Sequence, residues 1–132
     1  FNVYVLMGDG ECYEGSVWEG AMFASAQNLN NLTAIIDYNK WQATERSDLV
    51  LNNSSLANRW KSFGWEVIEV NGHSFSEIRG ALSFHSGSRP KLIIANTIKG
   101  KGISFMEDDN NWHYRIPNSL EMSLSKSELN LL

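Results

Sequence analysis

The stretch Gly8-Asp9-Gly10-Glu11 concentrates the chemistry of this chain. Glycines on both sides of a residue permit a tight turn and a close approach of main-chain N–H groups to a ligand, and Asp9 between them presents a hard carboxylate oxygen. That combination suits a diphosphate with its Mg2+, although the same tripeptide also serves as an ordinary turn. A second oxygen donor is expected beside it. Asn39, in Asp37-Tyr38-Asn39-Lys40-Trp41, follows the next apolar run, so in a parallel sheet it emerges at the same edge as Asp9, from the neighbouring strand. Mg2+ takes few protein ligands and fills its octahedral shell with phosphate oxygens and water. One carboxylate and one amide therefore suffice when a diphosphate is present.

These residues are placed by a simple pattern. Four short apolar runs bounded by turn residues, 2–7, 32–37, 65–70 and 91–96, read as strands buried on both faces. Helix-like stretches at 16–27, 55–63 and 75–84 lie between them. Strict alternation of strand and helix implies an α/β fold: an open parallel sheet with helices on both faces. Ser16 with Glu19 and Ser74 with Glu77 fit capping boxes at two helix starts, and Gly64 is a suitable stop for the middle helix. Small residues Gly20, Ala21, Ala24 and Ser25 predict that the first helix lies close against the sheet. The stretches 38–54 and 97–119 are long and irregular, a length at which loops are either functional or disordered. A further Ser125 to Glu128 box predicts a helical tail within 119–132, and the whole of 1–132 reads as one partial domain.

Composition sets the outer limits. At 132 residues, 42% hydrophobic and 20% charged with two prolines, the chain is globular and of single-domain size. A net charge of -4 argues against a broad nucleic-acid surface. Cys12 is the single cysteine and cannot form an internal disulfide, so a cytoplasmic setting is expected. No apolar run approaches the roughly 20 residues that cross a bilayer, and the start lacks a signal-peptide layout, so no membrane partner is expected. The chain opens at Phe1 inside what reads as a strand, and is expected to be a piece of something longer.

Gly8-Asp9-Gly10, followed after 28 intervening residues by Asn39, resembles the cofactor motif of thiamine diphosphate enzymes. The run through Glu14-Gly15-Ser16-Val17-Trp18-Glu19 is similar to transketolases, as are Phe63-Gly64-Trp65, Gly72-His73-Ser74, Thr97-Ile98-Lys99-Gly100-Lys101-Gly102 and Trp112-His113. The resemblance extends to about Pro117. It implies thiamine diphosphate with Mg2+, or Ca2+ or Mn2+ in its place. It further implies that the side chains of Asp9 and Asn39 and the Trp41 carbonyl hold the metal, while Gly8 and Gly10 form the turn and the Gly10 N–H serves the diphosphate. By the same resemblance, Lys99 is a cofactor-site cation and His113 sits near the diphosphate and the donor sugar. Glu14 and Glu19 match family glutamates near a dimer interface that link two active sites; Glu19 has the capping box as its competing role. Transketolases usually follow the histidine with glycine, where this chain has Tyr114 and Arg115.

The implied activity is transfer of a two-carbon ketol unit from a ketose phosphate to an aldose phosphate, as in the pentose phosphate pathway. Such a chain needs a pyrimidine-binding domain or subunit, in a homo- or hetero-oligomer, and is expected to be inactive alone. Deoxyxylulose phosphate synthase shares Gly-Asp-Gly and Asn, and a non-catalytic cofactor-binding fragment is the rival outside enzymes. Glu11 and Lys101 read as solvated charges, His73 and His85 carry no assigned role, and Cys12 lacks the neighbours of a nucleophile.

Overall fold

Side chains alternate across each strand, so a strand apolar at every position must be covered on both sides. The computed structural model, which describes residues 1–51 and 55–131, shows how this is done. The end of the expected loop 38–54 and the last residue of the expected tail lie outside the described residues. In chain order the elements are β1 (Val3–Gly8), α1 (Gly15–Ala26), β2 (Leu32–Tyr38), α2 (Ser47–Val50), α3 (Leu56–Ser62), β3 (Glu66–Asn71), α4 (Phe75–Ser83), β4 (Lys91–Asn96) and α5 (Ser119–Glu128). Two 3-10 turns, Gly10–Tyr13 and Asn110–His113, interrupt the connections. The strands form one parallel sheet in the order β1-β2-β4-β3.

One face carries Met7, Ala34, Ile36, Leu92 and Ile94, packed with Ala21 and Ala24 of α1 and with Leu56 and Trp60 of α3. Trp60 is the centre of this layer, with Trp18 at 5.3 Å and Trp65 edge-on at 4.8 Å between ring centroids. The opposite face carries Val70, Ile93 and Ala95 under Ala81 and Ile78 of α4. The expected α/β architecture with helices on both faces is therefore observed. The expectation of burial on both faces fails at β1, whose second face is open with Leu6 74% and Tyr4 58% exposed.

Local signals fared unevenly. Ala21 and Ala24 are buried as expected, but Gly20 faces open space and does not serve the close approach. The Ser16–Glu19 capping box does not form. The 3-10 turn runs straight into α1, and the backbone bonds Glu14 N–H to Glu11 O and Val17 N–H to Glu14 O occupy the positions a cap would serve. Ser74 does cap α4, accepting from the Glu77 N–H, whereas the Glu77 carboxylate reaches back to the Asn71 N–H. The tail helix starts earlier than its Ser125 signal implied, because Asn118 and Glu121 make the capping box and Ser125 lies inside the helix. Gly64 ends α3 at φ 87°, and a Cβ there would meet Ser25 Oγ of α1 at 2.5 Å.

Lys91 shows how the second face closes. It is 5% exposed, and its ammonium donates to the carbonyls of Ala81, Leu82 and Phe84 at 2.8–2.9 Å, the acceptors left over where α4 ends. Lys91→Met keeps the aliphatic stem but abandons those carbonyls, at an expected cost of roughly 1–3 kcal/mol. The check is a urea titration, which should show a lower midpoint at unchanged slope.

Candidate functional site

β1 and β2 run parallel with Gly8 opposite Asp37, so the chain leaves both strands at one level. A bond from the Asp9 N–H to the Asp37 carbonyl, 3.3 Å, carries the pairing one step further. Asp9 and Asn39 thus come off neighbouring strand ends, the placement expected from the sequence. Asp9 is 1% exposed; its Oδ2 accepts from Ser47 Oγ at 2.7 Å and from the Lys40 N–H at 3.1 Å. Burial pushes its carboxyl above the usual aspartate range, against the opposing hydrogen bonds from Ser47, Gly10 and Lys40. A carboxylate taken this far from water is neutralised more readily, by a proton or by a bound cation.

Asn39 is held from both ends. Its Nδ2 donates to Asp37 Oδ2 at 3.1 Å, and its Oδ1 accepts from the Trp41 N–H at 2.9 Å, an Asx turn around Lys40 at φ 69°. Beyond it, Trp41 pairs with Arg46 in a small antiparallel bridge closed by Gln42 N–H to Glu45 O, 2.9 Å, and Ser47 N–H to Lys40 O, 3.0 Å. Neighbouring peptide groups in such a bridge point alternately inward and outward. The Trp41 carbonyl is therefore turned away from the hairpin, and accepts no hydrogen bond among the described residues. Gln42 returns towards Gly10: its Cγ stands 3.4 Å from where a Cβ on that glycine would be. Its Nε2 is buried without a partner among the described residues.

A carboxylate, an amide oxygen and an unused main-chain carbonyl form a hard-oxygen donor set, and an orphaned N–H2 beside a bare glycine is a donor awaiting an anion. These residues fit a divalent cation carrying a diphosphate. Among the described residues no cluster of three or more His, Cys, Asp or Glu side chains could hold a metal unaided, so the remaining ligands would come from phosphate and water.

A cleft of about 690 Å³ brings Asn39 and Lys99 together, with Asp37 and His73 in its wall. His73, which had no role in the sequence, accepts the Ile98 N–H on Nε2 at 2.8 Å and so holds the loop that carries Lys99. His113 does not line that cleft; it lies exposed on the second 3-10 turn with Tyr114 edge-on at 4.6 Å. Arg115 pairs with Glu121 of α5 and covers the Trp112 ring at 4.4 Å. The two residues standing where a glycine was expected thus tether the histidine turn. Glu14 and Glu19 are exposed, and no hydrogen bond or ion pair among the described residues joins them to Asp9 or Asn39. Glu11 is exposed but not merely solvated, since its carboxylate takes the Gly8 N–H at 2.7 Å. Lys101 likewise pairs with Glu107 at 3.0 Å. Burial pushes the Cys12 thiol up to about 12, consistent with a structural rather than nucleophilic cysteine.

Ser47, Asp37 and Gln42 were not anticipated. Asp37 accepts from both Asn39 and Thr97 Oγ1 and stands two residues before Asn39, a spacing that was available to inspection. Ser47 lies 38 residues from Asp9, and nothing in its local sequence signals that contact.

The family model described as "Transketolase, thiamine diphosphate binding domain" matches residues 1–129. The chain is 43% identical over 119 residues to an apulose-4-phosphate transketolase subunit of Phocaeicola vulgatus, covering 89% of this chain and 42% of that protein. It is 42% identical over 113 residues to human transketolase, covering 86% of this chain and 18% of that one. Among solved structures, transketolase from Campylobacter jejuni superposes with a TM-score of 0.89 at 30% identity, over 98% of this chain and 20% of that one. The chain spans less than half the length of these relatives. Among the described residues no helix is long and apolar enough to cross a membrane.

Proposed function

We propose, because the chain belongs to the transketolase family, that it is the diphosphate-binding part of a thiamine diphosphate- and Mg2+-dependent transketolase. It would transfer a two-carbon ketol unit from a ketose phosphate to an aldose phosphate, and would do so only beside a pyrimidine-binding domain or subunit. The observation that carries this reading is the buried Asp9 carboxylate held by the Lys40 N–H next to Asn39, with the orphaned Gln42 donor packed against Gly10. Support for a split arrangement comes from relatives that are themselves named as subunits, the apulose-4-phosphate transketolase subunits of Phocaeicola vulgatus and Actinobacillus succinogenes, at 43% and 41% identity.

Thiamine diphosphate supplies the carbanion chemistry when bound, and the protein supplies binding, orientation and electrostatics. Asp9, Asn39 and the Trp41 carbonyl would hold the cation, with Ser47 and the Lys40 N–H fixing which carboxylate oxygen is left for it. Gly10 and Gln42 would donate to phosphate oxygens, and Lys99 would add a positive charge from the facing loop. His113 would hold or deliver a proton at the donor sugar, a role its exposed position permits. Glu14 and Glu19 lie clear of the cation set and belong, on this reading, to the contact with the second subunit.

The test is reconstitution. The chain alone should show no ketol transfer, and mixing with a pyrimidine-domain subunit of a split transketolase should restore transfer dependent on both thiamine diphosphate and Mg2+. Retained cofactor binding with no transfer from any such partner would replace this reading with that of a non-catalytic binding fragment.

A further inference from the structure

Asp108 ties the two loops of the proposed cofactor site to each other, beside a second link from Asn110 Nδ2 to the Ala43 carbonyl at 3.2 Å. Asp108 Oδ1 accepts from the Trp41 indole N–H at 2.8 Å and from Arg46 Nη1 at 2.8 Å, and its Oδ2 accepts from Arg46 Nη2 at 2.5 Å. The Arg46 guanidinium lies over the Trp41 ring at 3.8 Å, so carboxylate, guanidinium and indole form a closed triangle. The main chain of Asp108 is anchored as well, its N–H donating to the Lys99 carbonyl at 2.9 Å. Asp108 adopts φ 58°, a left-handed conformation that aspartate and asparagine accept more readily than other non-glycine residues.

We propose that Asp108 is a positioning residue, a clasp that sets the Trp41 carbonyl in register with Lys99 before the cofactor arrives. The inference rests on the function proposed above. Arg46 is followed by Ser47, whose hydroxyl holds Asp9 Oδ2, so the clasp reaches all three parts of the cation set through the short hairpin 40–47. The trio is partly exposed, with Arg46 and Asp108 side chains at 32% and 52%. Exposed ion pairs add little to global stability, so the consequence of this one lies in the order of the hairpin rather than in the melting point.

Arg46→Met and Asp108→Gly break the clasp while leaving the main chain able to keep its course, since glycine adopts positive φ without strain. In the ligand-free 132-residue chain, hydrogen exchange at the Gln42 and Ser47 amides should quicken roughly ten-fold in either variant while the β4 amides keep their protection. Unchanged exchange at Gln42 and Ser47 overturns the clasp. In calorimetry with thiamine diphosphate and Mg2+, each variant should bind about ten-fold more weakly, and the double variant no more weakly than either single one. Unaltered affinity, or penalties that add, overturns the positioning role. A wild-type chain that binds no cofactor would count against the proposed function instead, and the exchange measurement would still decide whether the clasp exists.

Discussion

Asp9→Asn is expected to weaken Mg2+-dependent binding of thiamine diphosphate by about 100-fold or more while leaving the folded chain as stable, or more stable, at neutral pH. Asparagine retains an oxygen for Ser47 Oγ and the Lys40 N–H, so the local hydrogen bonds survive. What it loses is the negative charge that a divalent cation needs. In the metal-free chain that same charge is a burden, because Asp9 is buried and its carboxyl is held above the usual range by desolvation. The sign follows from proton binding. The folded state keeps the Asp9 proton to a higher pH than the unfolded chain does, so wild-type stability falls as pH rises from the ordinary aspartate range through the raised value. The variant lacks this loss. Its stability advantage should therefore open across that window and stay constant above it, which urea titrations of both proteins at a series of pH values will measure. Equal cofactor affinity in the two proteins would remove Asp9 from the cation set.

Gly100→Ala is expected to be the most damaging single methyl addition to the site. Gly100 sits at φ 72°, and a Cβ there would lie 2.4 Å from the Met106 carbonyl oxygen and 2.7 Å from its carbon, main-chain atoms that cannot rotate away. Conformational strain and overpacking together should cost about 2–4 kcal/mol. The damage is aimed at function, because the loop that must open lies between Lys99 and Asp108. Cofactor affinity should fall even at temperatures where the variant remains folded. Gly20→Ala is the contrasting control: it adds a methyl into open space within α1 and should stabilise by about 0.5–1 kcal/mol through helix propensity. Thermal unfolding and calorimetry on the three proteins check both statements. A Gly100→Ala chain with wild-type stability would mean that the loop has another conformation open to it.

Helix boundaries show where local reading fails. The Ser16–Glu19 pattern is a good capping signal, yet α1 already begins at Gly15, with Glu14 as its cap residue and the Val17 N–H taken by the Glu14 carbonyl. The Ser125–Glu128 pattern is equally good, yet Asn118 captures the helix start first and leaves Glu128 free to take Ser104. A capping motif states that a helix can start at a residue. Which of several starts is used depends on what the chain does just before it.

By itself the sequence determined the alternation of the four strands with the helices between them, though not the short α2 within 38–54, together with the parallel sheet and the arrival of Asp9 and Asn39 at one edge. Each of these follows from periodicity and from the rule that parallel strands end at the same side, so no distant contact is needed to infer them. Only the tertiary structure decided how those donors are held: Asp9 by Ser47, the Trp41 loop by Asp108, the Lys99 loop by His73, and α4 by the Lys91 ammonium. These partners sit mainly in irregular segments or on separate elements, where no repeating pattern constrains the main chain. A single polar side chain can satisfy many donors, and the choice among them is made only when the sheet brings the loops within hydrogen-bonding distance.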